Sequence, residues 1–414
     1  MSTSPPFSRR TEWDRSDNAL SREIATAHAE GRALVDLTES NPTRAGLGSA
    51  SLVSLLGHPR GAAYQPAALG HEDARAAVAR YYEDRGLVAP ASRVCLTAST
   101  SEAYGWLFKL LAERGDEVLI PAPSYPLFAF LAALEDVTLV PYPLRRDERF
   151  ALDLHAIEER VGPRTRAVVL VHPNNPTGTF VRREDARALD AMAARRGLAL
   201  IVDEVFGDYV HGPLPGDRLP SFAGQREALT FVLSGLSKIT ATPQLKLGWI
   251  VTAGPEAIAA EAMGRLEVIA DTYLSVSTPV QLALPEILAA RGPIQGAIRA
   301  RVAANLRALD EAIAALGDEA PVRRLPIEGG WYATIEVPRT REEDAWIALL
   351  LREDSVIVHP GYFFDFAEEG CLVVSLLPEE EAFREAIRRV VRRTGDHDGG
   401  GASLAGLDSG GRRR

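Results

Sequence analysis

Three polar clusters stand at the ends of three apolar runs. Ala167 to Val171 leads into His172–Gly178 (HPNNPTG), Leu198 to Val202 into Asp203–Asp208, and Thr230 to Leu233 into Ser234–Lys238. Between them they offer an amide, a carboxylate and a primary amine. Each cluster alone has an ordinary explanation: Asn, Pro and Gly favour turns, Asp203 can cap the next element, and most lysines are solvated. Their shared position carries more weight. In an open parallel sheet, ligands bind beyond the carboxyl ends of the strands.

The elements that must position these residues are legible. From about residue 91 to 253 short apolar runs alternate with amphipathic stretches, the pattern of an α/β core. Val94 to Thr97, Glu117 to Ile120 and Thr138 to Tyr142 read as further strands. Ala103, Trp106, Leu107, Leu110 and Leu111 line one face of a helix, and a helix bearing Leu189 and Met192 stops at Gly197. Beyond residue 254 the chain turns helical to about 316, then to short strands near Trp331–Val337 and Leu372–Leu377. We therefore expect an extended N-terminal arm over 1–45 packing with the small domain, a large domain over 46–290, a small α+β domain over 291–394 and a disordered tail over 395–414.

Composition narrows the function. A formal charge of −10 argues against a general nucleic-acid binder, which needs a concentrated basic face. Cys95 and Cys371 are too few for a disulfide framework or a four-cysteine zinc site, and the eight histidines are scattered. No apolar run reaches the roughly eighteen residues of a membrane helix, and the first residues lack a signal-peptide pattern. A cytoplasmic enzyme or binding protein remains.

A lysine, a carboxylate and an amide at adjoining strand ends suit pyridoxal 5'-phosphate, which needs an amine for its aldehyde, an acid for its ring nitrogen, a donor for its ring oxygen and a cradle for its phosphate. In this the sequence resembles the class I/II aminotransferases, fold-type I pyridoxal-phosphate enzymes, from about Tyr64 to Gly361. HPNNPTG at 172–178, VDEVF at 202–206, and LSK followed by LKLGW at 245–249 carry the resemblance. It implies a mostly parallel central sheet in a large domain beside a smaller α+β domain, and a homodimer with shared active sites.

The resemblance also assigns roles. Lys238 is expected to hold the cofactor as a Schiff base and then to move the Cα proton, its pKa lowered by burial and a neighbouring cation. Asp203 is expected at the ring nitrogen, Asn175 at the ring oxygen and Tyr125 against the ring face. Ser99, Thr100 and Ser101, at a helix start, would cradle the phosphate, helped by Ser237, Lys246 and the partner-facing Tyr64. Gly70 and Arg75 read as structural.

Departures from the family pattern bear on mechanism. Phe206 stands where many relatives carry a tyrosine bonded to the ring oxygen, which should raise the Schiff-base pKa. Gly235 replaces a frequent phosphate-binding serine, and Lys246 an arginine, losing the bidentate fork. Relatives usually place a carboxylate-gripping arginine two residues before a serine in a late strand; CLVVSLL puts Val373 there. Arg44 and Arg324 are the substitutes to consider. Trp331, Tyr332, His359, Tyr362 and Phe363 are candidate pocket aromatics and favour a hydrophobic or aromatic donor. Transamination between an amino acid and a 2-oxo acid is the expected activity; elimination, cyclisation or another carbanion-derived outcome on the same fold is the alternative, which the missing arginine keeps open.

Overall fold

The computed structural model describes residues 7–16 and 18–396. The strands, in chain order, are β1 (Val35–Asp36), β2 (Val94–Thr97), β3 (Glu117–Ala122), β4 (Thr138–Arg145), β5 (Ala151–Leu152), β6 (Thr165–Val171), β7 (Ala199–Asp203), β8 (Thr230–Gly235), β9 (Gly248–Ala253), β10 (Arg323–Arg324), β11 (Tyr332–Glu336), β12 (Val356–Ile357), β13 (His359–Pro360) and β14 (Cys371–Ser375). Eight of them form one sheet in the order β2-β9-β8-β7-β6-β3-β4-β5. Neighbours from β4 to β8 pair in parallel, while β9 runs antiparallel to both β8 and β2.

The sheet is buried on both faces because its central strands carry continuous apolar runs. Val168, Leu170, Leu200, Val202 and Val232 join one core. Val169, Val171, Ile201, Phe231 and Leu233, the alternate residues, join the other. The strand and helix expectations for this region hold, with Gly197 ending the helix Arg183–Arg196 at φ 66°. The antiparallel β9, grown from the LKLGW motif, was not anticipated as a strand.

A second sheet, β10-β11-β14-β13, adjoins the first. The helix Thr278–Ala289 packs on Glu72–Glu83, whereas the next, Arg291–Ala314, packs on Glu380–Gly395. The first 45 residues are not simply extended. Asn18 caps an 11-residue helix, Ala19–Ala29, by accepting from the Ser21 N–H at 2.7 Å. Downstream, β1 pairs in parallel with β12, and the Leu37 carbonyl accepts from the Ser375 N–H at 2.7 Å. The tail expected beyond 395 lies, past Asp396, outside the described residues.

Between the two sheets the chain is clasped. Buried Arg218 makes a bidentate pair with Glu328, whose carboxylate also accepts the Phe180 N–H at 2.9 Å. Beside this pair Gly178 sits at φ 68°, where a Cβ would come within 2.4 Å of the Gly329 carbonyl. Gly178→Ala should therefore lower unfolding stability by about 1–3 kcal/mol, read as a reduced denaturant midpoint at unchanged m-value.

Candidate active site

The ends of β6, β7 and β8 are adjacent, so the three polar clusters meet. Asp203 closes β7, opposite Val171 on one side and Leu233 on the other. Lys238 lies in the short helix Leu236–Ile239 directly after β8. Asn175 belongs to the turn after β6, in which Asn174 accepts from the Thr177 hydroxyl at 2.8 Å and donates to the Pro123 carbonyl at 3.2 Å. That second bond ties this turn to the segment carrying Tyr125. One end of the Asn175 amide, Oδ1, is buried with no hydrogen-bond partner. That oxygen can only accept a hydrogen bond; a bond to a ring oxygen would come from the other end of the amide, Nδ2.

Lys238 Nζ lies 4.8 Å from the Trp331 ring centre and 5.5 Å from that of Phe206. The two rings pack edge to face at 5.1 Å, and Tyr332 adds a third aromatic against Phe206. Ring faces attract the ammonium form, yet burial wins and pushes the Lys238 pKa down to about 8, with Asp203 pulling the other way. Burial, not a neighbouring cation, is the cause. The Asp203 carboxyl is pushed up to about 6 by burial, opposed by bonds from the Val205 N–H and the Tyr104 hydroxyl and by the Lys238 charge. Tyr104, buried in the helix Thr100–Leu111 at 3.3 Å from Asp203 Oδ2, was missed in the sequence, where it reads only as another core position of that helix.

The helix start after β2 faces this group. Ser99 caps the helix by accepting from the Glu102 N–H at 3.1 Å, so its side chain is already engaged, while Thr100 and Ser101 are half-buried. Gly248 of β9 is the second residue overlooked, although its motif was noted. A Cβ there would stand 3.0 Å from the Ser234 carbonyl and 3.3 Å from the Thr100 nitrogen. Across from it, a Cβ on Gly235 would meet Gly248 Cα at 2.8 Å. Any side chain at 235, serine included, would collide with backbone, so glycine follows from the packing of β8 on β9.

Other expected residues are spread more widely. Ser237 is half-buried beside Lys238, Tyr125 is 43% exposed and Lys246 is exposed at φ 50°. Tyr64, 74% exposed, lines a cleft with Gly70, Trp106, Leu274 and Gln281. Arg75 bonds the Gly70 and Ala91 carbonyls. Of the pocket aromatics, Trp331 and Tyr332 surround Phe206, and Phe363 stacks on His359 at 5.0 Å. Tyr362 instead turns to the surface and donates to Asp344 at 2.7 Å. Val373 is wholly buried. Arg44 is paired with Glu39 and Arg324 with Asp310, each at 2.7 Å.

An α/β sheet whose strand ends bring an amine of lowered pKa beside a carboxylate of raised pKa is a setting suited to amine chemistry. The family profile described as "Aminotransferase class I and II" matches residues 54–390, and the chain belongs to that family. A glutamate-pyruvate aminotransferase of Haemophilus influenzae is 25% identical over 91% of this chain and 94% of its own length. An alanine aminotransferase of Mycobacterium tuberculosis is 26% identical over 89% and 87%. Among solved structures, an alanine aminotransferase from Pyrococcus furiosus shares the fold with a TM-score of 0.81 at 21% identity, covering 94% of this chain and 99% of its own. The protein is a pyridoxal-phosphate-dependent aminotransferase of fold type I. Among the described residues no group of acidic, histidine or cysteine side chains is placed to hold a metal, and no helix is long and apolar enough to cross a membrane.

With its pKa near 8, Lys238 in the apo-protein should be neutral in roughly a quarter of molecules at pH 7.5, against about one in a thousand for an unperturbed lysine. Imine formation with a simple aromatic aldehyde, followed by absorbance, should accordingly rise with pH through about 8 and level off above it. Lys238→Ala should remove that phase.

Proposed function

We propose that Lys238 is the cofactor-bonding lysine and proton carrier of this aminotransferase, with Asp203 at the ring nitrogen and Asn175 at the ring oxygen. The observation that carries the reading is that these residues stand at or just beyond the ends of three adjacent strands, with Lys238 and Asp203 close enough for each to act on the other's charge. When bound, pyridoxal phosphate supplies an electron sink that stabilises negative charge on the donor's Cα. Asp203 keeps the facing nitrogen protonated, and the Tyr104 hydroxyl holds Asp203 in place at 3.3 Å. Once displaced by the donor amine, Lys238 takes the Cα proton and returns it one carbon away. Its low pKa suits that exchange, since an effective acid–base group titrates near the working pH.

The phosphate fits the free N–H groups at the start of the helix Thr100–Leu111, with Ser99, Thr100, Ser101, Ser237 and Lys246 as its holders. Tyr125 covers the open face of the ring. Phe206 and Trp331 exclude water around the lysine. Tyr64 serves the neighbouring active site of a homodimer, a reading supported by its exposure beside the exposed Leu274. Cys95 and Cys371 are buried free thiols, in keeping with a reducing, cytoplasmic setting. The aromatic wall supports a donor with a hydrophobic or aromatic side chain and a 2-oxo acid as acceptor. The domain boundaries near 45 and 290 and the small domain to 394 belong to the same proposal.

The purified holoenzyme should be yellow, and Lys238→Ala should abolish the absorption band. Phe206→Tyr should lower the pKa at which that band shifts, because the added hydroxyl donates to the ring oxygen and stabilises its anion. A protein that stays colourless when supplied with the cofactor would defeat the assignment of Lys238.

A further inference from the structure

The Lys238 amine is seated against ring faces, Trp331 at 4.8 Å and Phe206 at 5.5 Å. Ring faces attract a cation without the sharp directionality of a hydrogen bond, so the place of Nζ depends on how the lysine's backbone is held. That backbone is a helix of four residues, Leu236–Ile239, whose start at Gly235 has no side-chain cap. The Thr240 and Thr242 N–H groups both donate to the Leu236 carbonyl, at 3.1 and 3.3 Å. The Lys238 carbonyl accepts instead from the Tyr209 hydroxyl at 2.6 Å.

Tyr209 touches both the lysine's backbone and the wall at its amine. Its ring lies 5.2 Å from that of Trp331, and its carbonyl accepts the Gly330 N–H at 2.8 Å, one residue before that indole. The neighbouring residues continue the attachment. Val210 bridges Gly329, and the His211 N–H donates to the Glu328 carbonyl at 2.8 Å. Tyr209 is wholly buried, and burial raises its phenol far above the ordinary range, so it stays a donor at any working pH. Without that donor the Lys238 carbonyl would be left unsatisfied, and the chain carrying it would shift.

Resting on the reading of Lys238 as cofactor-bonding lysine and proton carrier, we infer that Tyr209 is a positioning residue for it. The hydroxyl holds the lysine's main chain, and the ring holds the indole against which the amine lies. Tyr209 touches no reacting atom. What it sets is the approach of Nζ to the donor's Cα proton, and proton transfer is sensitive to small misplacements.

The test is Tyr209→Phe, which keeps the ring and removes only the bond to Lys238. The probe is whichever of L-alanine, L-glutamate and L-phenylalanine the wild-type holoenzyme converts fastest, followed in single turnover by loss of the aldehyde-form band. The rate constant is expected to fall about tenfold while the apparent donor Kd stays within about twofold, and deuterium at Cα should slow the variant more than it slows the wild type. In the apo-protein, imine formation between Lys238 and a simple aromatic aldehyde should slow several-fold with its midpoint still at about pH 8, because burial sets that value. A purely structural residue would lower the denaturant midpoint and leave both rates intact in the folded molecules. Rates within about threefold of wild type in the folded variant, or a loss carried by Kd, overturn the inference. Should Tyr209→Phe not fold, Tyr209→Met, flexible enough to fill the space without donating, is judged by the same limits. A wild-type band that survives Lys238→Ala defeats the assignment of Lys238 itself, a result distinct from the others, and this inference with it.

Discussion

Lys238 is an amine placed where water cannot fully solvate its charge, and much of the surrounding architecture serves that placement. A pKa near 8 requires a lining of low polarity, which Phe206 and Trp331 provide. Trp331 immediately precedes β11, so part of the amine's apolar lining comes from the chain that leads into the small sheet. Asp203 is under the opposite pressure. Its carboxyl is raised toward 6, and the Val205 N–H, the Tyr104 hydroxyl and the lysine's own charge keep the shift from growing. Each group is unfavourable alone, and each is partly compensated by the other. An environment that disfavours both charges before a ligand arrives is one that a ligand carrying complementary groups can relieve.

Much of this was legible in the sequence because the parallel sheet writes itself in continuous apolar runs. Ala167 to Val171, Leu198 to Val202 and Thr230 to Leu233 name three neighbouring strands, and the polar cluster that follows each run contains one proposed site member. What stayed hidden depended on approach rather than type. Tyr104 sits among Ala103, Trp106 and Leu107 on a helix face, and nothing in that pattern says its hydroxyl reaches Asp203 across the sheet. Gly248 looked like part of a motif, but its reason is the 3.0 Å gap to the Ser234 carbonyl. The N-terminal helix was obscured because the short stretch after Asn18 is polar and mixed, and it gains its support from packing on Glu343–Leu349 and from the Arg352–Glu23 pair.

The two unusual residues, Gly235 and Val373, have different causes. At 235 the backbone of β9 leaves no volume, so a serine is excluded by sterics. At 373 the valine is wholly buried in the apolar core of the small sheet. The first is a constraint of backbone packing and the second of side-chain burial.

The Arg218–Glu328 clasp couples the turn after β6 to the chain just before β11. Phe180 and Gly178 in that turn, and Glu328 and Gly329 in that chain, fit as one unit with Arg218. The small sheet is therefore not an exchangeable module. A hybrid that joined this large sheet to the small sheet of a relative would need matching residues at 178, 218, 328 and 329 before its cofactor turn could close, so recombination within the family is limited less by the crossover point than by this one buried contact.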